Sequence, residues 1–183
     1  MTGLNSMQAL LLVWIDLEMT GLNPDRDVIL ELACVITDAQ LNVVAEGPQF
    51  VIHQSESMLA VMHAHVRKLH TDSGLLSLVA ESTTTVDHAE QQIVDFIKQH
   101  CKDNQGRLAG NSVWKDRAFL QVYMPRMLDL LHYRIIDVST IKELVLQWYP
   151  DAAKFEKRNT HRAIDDIHES IAELRYYREH YFV

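Results

Sequence analysis

The chain has 183 residues, 48% of them hydrophobic, and a formal charge of −8 at pH 7. That suffices for one substantial core and not for two, and the acidic balance counts against a protein that follows long nucleic acid through many phosphate contacts, which needs a basic footprint. Cys34 and Cys101 stand in no zinc-type spacing, no run approaches roughly 18 apolar residues, and the first ten residues lack a signal-peptide pattern; the reading is a cytoplasmic protein with reduced thiols and no membrane segment, a Cys34–Cys101 pair being the alternative.

Residues 1–8 read as a flexible N-terminus and 9–183 as a single domain. The apolar run LLVWIDLEMTG, 11–21, predicts a strand over about 10–17. Strand side chains alternate, so Trp14, Asp16 and Glu18 share one face, with about 7 Å between Asp16 and Glu18 along the chain. Two carboxylates can converge there on one ion, or the strand end can simply fray into solvent. Turn signals at NPDRD (23–27) and DAQLN (38–42) separate further strands at about 27–37 and 42–53, and such short connections imply antiparallel neighbours.

Helical pieces are predicted near 58–68 and 86–101, a strand at 107–111 and a helix at about 115–124. In that helix Asp116 falls in the stripe of Phe119, Leu120 and Tyr123, the pattern of a core-facing side, although a first-turn acid is also favoured by the helix dipole. A strand over 134–138 and a helix over 140–149 follow, with Thr140 and Glu143 fitting a capping box. The irregular stretch YPDAAKFEKRN (149–159) is read either as a lid that closes on phosphate or as an ordinary surface loop. In the last helix, about 162–180, the stripe is Ile164, Ile167, Ile171 and Leu174; Asp165 points farther from its centre than Asp166, which flanks it. His161 is rotated by about 140° from Asp166, too far to share a helical face, which puts it on the loop leading into the helix. A three-strand meander followed by alternating strands and helices gives an α/β fold, a mixed five-stranded sheet flanked by helices.

Inward-facing Asp16, Glu18, Asp116 and Asp166 are costly unless a cation accompanies them. Hard oxygen ligands without cysteine suit Mg²⁺ or Mn²⁺ better than zinc, and two ions are the natural count for four carboxylates. Each residue taken singly has a bland reading: a surface histidine for His161, a core edge for Tyr133, a solvated face for KRNTHR.

Their joint order and spacing resembles the DEDD exonucleases of the RNase H-like superfamily, in the branch ending in HxxxxD. Asp16 and Glu18 match its first motif, Asp116 its second, His161 and Asp166 its third. WIDLEMTGLNPDRDVILELA, HTDSGL, GNS, HYRIIDVST and THRAIDDIHESIAELRYYREH are similar to the oligoribonucleases in particular. The resemblance implies an RNase H-like fold and a 3′→5′ exoribonuclease that hydrolyses short oligoribonucleotides, dinucleotides included. It further implies two Mg²⁺ or Mn²⁺ ions on Asp16, Glu18, Asp116 and Asp166, with His161 as general base. Leu22 would wedge between two bases, His70 would contact substrate, and Ser112, Arg134, Ser139 and Thr140 would cap the terminal phosphate. Tyr133 would reach the neighbouring site of a homodimer, and His65 stands where relatives commonly carry a stacking tryptophan. Two other readings are a related exonuclease for longer substrates and a silent module that captures nucleotide ends.

Overall fold

The computed structural model describes residues 10–102, 104–151, 153–156 and 161–182. The expected loose N-terminus and residues 152 and 157–159 of the expected lid lie outside them. Five strands form one sheet in the order β3-β2-β1-β4-β5. β1 (Leu11–Met19), β2 (Ile29–Thr37) and β3 (Val43–Val51) make the antiparallel meander. β4 (Gly106–Gly110) and β5 (His132–Asp137) run parallel to β1.

Alternation along β1 assigns the two layers. Val13, Ile15 and Leu17 pack with Ile93, Ile97, Phe119 and Leu120, whereas Leu12 and Trp14 pack with Ala163, Ile167, Ile171 and Tyr177. β2 is buried along its whole length, as a strand covered on both faces must be. Gly110 lets β4 close on β1, because a Cβ there would sit 2.9 Å from the Ile15 carbonyl oxygen.

The predicted helix over 58–68 is corrected by the structure. It is two helices, α1 (Glu56–Ala60) and α2 (Ala64–Asp72), and a third, α3 (Leu75–Glu81), follows. Ser55 caps α1 by accepting the Met58 amide, and Gly74, at φ 76°, turns the chain into α3. α4 (Val86–His100) and α5 (Trp114–Tyr123) match their predicted positions, and a short α6 (Pro125–Leu128) not read from the sequence comes after them.

The second correction concerns α7, which spans Val138–Trp148 and not 140–149. Its cap is Asp137, whose carboxylate accepts the Ser139 amide, so Thr140 is already inside the helix and the capping-box reading fails. α8 (Ala163–Tyr181) buries Ala163, Ile167, Ser170, Ile171, Glu173 and Tyr177. Ile164 and Leu174 are only partly buried against this layer. Burying Ser170 and Glu173 turns the inner face toward Asp166, which lies about 60° from its centre.

Candidate active site

The site forms at the carboxyl end of β1, where parallel β4 and β5 also end. Asp16 and Glu18 emerge there on the α8 side of the sheet, opposite Ala33 and Glu31 in register. Asp116 arrives from the other layer, in the first turn of α5: it is 6% exposed and its Oδ1 accepts the Leu17 amide at 3.0 Å. On α8, Asp166 is half-buried while Asp165 faces solvent. His161 sits on the loop before the helix with φ 53°. Ligand-capable atoms of Glu18, His161 and Asp166 all lie within 4.8 Å of one another.

The electrostatics follow from that convergence. Burial, then Asp166, Glu31 and Asp116, push the Glu18 carboxyl up to about 8, with Arg162 opposing. Burial pushes Asp116 up to about 7, against the hydrogen bonds from backbone amides that favour its ionised form. Carboxyl groups held this close resist losing their protons until a cation joins them. Their oxygens are the donors a hard divalent ion takes, and no cysteine stands among them, so the residues fit Mg²⁺ or Mn²⁺.

His70 is 1% exposed and backs this cluster. Its Nε2 lies 2.9 Å from the Met19 carbonyl oxygen, which can only accept, so Nε2 carries the proton. Burial holds the ring's pKa below its ordinary value, leaving Nδ1 a lone-pair acceptor 3.7 Å from Glu18. That separation exceeds a hydrogen bond, and the contact is not an ion pair.

The residues expected to hold substrate separate into groups. Leu22 stands 62% exposed beside the site, its carbonyl oxygen accepting from Lys115 Nζ at 3.5 Å. Ser112 (φ 56°) and Ser139 meet at Asp137, which accepts the Ser112 amide at 3.0 Å and the Ser139 hydroxyl at 2.6 Å. The amides at the start of α7 are thus partly taken by a carboxylate, and Thr140 is exposed. Neighbouring Asn111 is tied to buried Glu173 at 2.8 Å. Tyr133 and Arg134 lie at the other end of β5, about 10–13 Å of extended chain from Asp137. There β5 passes from its His132–Arg107 pairing to Ile135–Leu108, so Tyr133 and Arg134 bulge from the edge strand, Tyr133 70% exposed. His65 is exposed on α2.

A family profile described as Exonuclease matches residues 13–174. An oligoribonuclease of Pasteurella multocida is 52% identical over 171 residues, 93% of each chain. One of Pseudomonas syringae pv. syringae is 51% identical over 170 residues, 93% of this chain and 95% of the relative. The chain belongs to the oligoribonuclease family. Membership makes it an enzyme, a 3′→5′ exoribonuclease. The RNase H-like fold has solved counterparts: a structure of exonuclease I superposes with TM-score 0.72 at 15% identity, over 93% of this chain and 41% of that one. A zinc-bound E. coli exonuclease I complex with single-stranded DNA superposes at 0.71 with 16% identity, over 95% and 41%.

Sequence reasoning missed Asp137 and Glu31, and its solvated-face reading of KRNTHR is corrected at Arg162, which is bound to a buried carboxylate. Asp137, read only as part of a strand, ties the Ser112 turn to α7. Glu31 and Arg162 meet behind Glu18. An acid interrupting the apolar run VILELACV was the available signal.

Proposed function

We propose that the protein removes 5′-mononucleotides from the 3′ end of very short oligoribonucleotides, dinucleotides included, at the Asp16, Glu18, Asp116, His161 and Asp166 cluster. The observation that carries this is the approach of Glu18, His161 and Asp166 ligand atoms to within 4.8 Å, with Asp116 reaching the same strand. Asp16, Glu18, Asp116 and Asp166 would hold two divalent cations, Mg²⁺ or Mn²⁺. Bound, such ions make the attacking water more acidic and steady the leaving oxygen.

His161 takes the proton of that water, the general-base role that imidazole fills most often. Its place on a loop, off the helix that carries Asp166, lets the ring approach substrate without moving that helix. Leu22 separates the two bases. Ser112, Ser139 and Thr140 hold the terminal phosphate from one chain, and Arg134, which stands with Tyr133 at the other end of β5, joins them from the second copy by the two-pronged geometry open to guanidinium. Tyr133, pushed out by the bulge, completes the site of a second copy in a homodimer, and His70 supports substrate from behind Glu18. Stacking by His65 is the weaker member of the set, since imidazole offers a small face.

The charge of −8 suits a substrate with one or two phosphates better than a long strand. No helix of the described residues is long and apolar enough to cross a membrane, and the cytoplasm is the proposed compartment. Hydrolysis rates on a two-nucleotide and a twenty-nucleotide RNA, each with Mn²⁺, test the reading. The shorter substrate should turn over faster; preference for the longer one overturns it, and binding without product would indicate a capture module.

A further inference from the structure

Glu31 is a carboxylate in the middle of a strand whose nine residues are all buried, and it is itself 2% exposed. Its register partner across the sheet is Glu18. Two buried acids side by side are unfavourable, and the structure answers with Arg162. Nε of Arg162 donates to both Glu31 oxygens, at 3.1 and 3.2 Å, and Nη2 donates to Oε1 at 2.6 Å. The Ala163 amide adds a fourth bond, to Oε2 at 3.2 Å.

Arg162 is the residue before α8 and makes no side-chain cap of its own. Glu31 therefore caps the helix from another element, accepting an amide that the first turn would leave unpaired. It fixes two things together: the start of the helix that carries Asp166, and the residue next to His161. His161 needs such an anchor, because φ 53° is a conformation a non-glycine residue keeps only where its surroundings impose it.

We infer that Glu31 and Arg162 are positioning residues for the hydrolytic step, a clamp that sets the pivot of His161 over the carboxylate cluster. Neither touches substrate; they act through His161, and the inference rests on His161 being the general base. A displacement of about 1 Å at a proton-transferring group is enough to cost on the order of 100-fold in rate.

The test compares Arg162→Met, Arg162→Lys and the double variant Glu31→Gln/Arg162→Met with the wild type on a ribodinucleotide with Mn²⁺. The double variant removes both charges, so it leaves no unpaired buried carboxylate should Arg162→Met fail to fold. Either Met-containing variant should lose about 10- to 100-fold in kcat, with KM and calorimetric Mn²⁺ affinity within about threefold. Arg162→Lys should recover part of the loss. Unchanged kcat with only a lowered melting temperature overturns the clamp, and so does a loss confined to KM or Mn²⁺ affinity.

A second readout does not depend on turnover. Mn²⁺ should broaden the His161 ring resonance, identified by its absence in His161→Asn, more strongly in the wild type than in the double variant. Equal broadening overturns the clamp. Should the wild type fail to cleave the dinucleotide, the proposed function falls, while the resonance still decides whether the pair places His161.

Discussion

Burial and the acids around it push the Glu18 carboxyl up to about 8 from its ordinary 4.5, and Asp116 rises from 3.8 to about 7. A carboxyl raised in the fold binds its proton more tightly there than in the unfolded chain. Its stabilisation is complete below the ordinary value and is lost as pH rises through the folded one. In EDTA, the melting temperature should therefore fall between pH 5 and pH 8, by several degrees at roughly 2–4 °C per kcal/mol. Excess Mn²⁺ should flatten or reverse that fall, since it binds the ionised carboxylates. A midpoint that stays level in EDTA across the window contradicts this electrostatic reading. At the same scale, His161→Ala should lose about 100- to 10,000-fold in kcat while keeping Mn²⁺ affinity, and Asp16→Ala should lose both. Titration calorimetry beside steady-state kinetics decides it: lost Mn²⁺ affinity in His161→Ala would make the imidazole a ligand.

At the scale of elements, Asp137 joins β5, the Ser112 turn and α7 through one carboxylate. Asp137→Ala should cost about 1 kcal/mol or somewhat more, for a lost cap and a freed amide. Exposed Thr140→Ala should stay within about 0.5 kcal/mol. Thermal or urea denaturation separates the two; equal losses would restore the sequence-derived cap at Thr140. Helices were legible where length and periodicity agreed: in α5 the stripe of Asp116, Phe119 and Leu120 is buried as read. Between Glu56 and Glu81 the three helices have 5, 9 and 7 residues. Segments that short hold no stable periodic signal of their own. Their limits come from the Ser55 cap, the turn at Gly74 and the packing of Met62, Leu75 and Val79 on Leu30.

For the whole molecule, β5 is an edge strand whose bulge offers Tyr133 outward. If two copies pair as proposed, with Tyr133 completing the neighbouring site, Tyr133→Ala should slow dinucleotide hydrolysis without changing the melting temperature. Mixing Tyr133→Ala chains with His161→Ala chains should then restore activity, because one site of each mixed dimer carries both residues. Mixtures as inactive as their parents would confine Tyr133 to its own chain.

The sequence by itself determined the strand-and-helix alternation, the two faces of β1 and the inward acids. These are local consequences of period-2 and period-3.6 patterning, and they placed Asp16, Glu18 and Asp116 before any packing was known. It also placed His161 off the last helix. Only tertiary structure decided how far α8 turns, since its inner face includes Ser170 and Glu173, polar residues whose burial depends on partners such as Asn111. Tertiary structure likewise paired Glu31 with Arg162, 131 positions apart. Hydropathy patterns carry no record of which distant charge will neutralise which, and here that choice sets the position of His161.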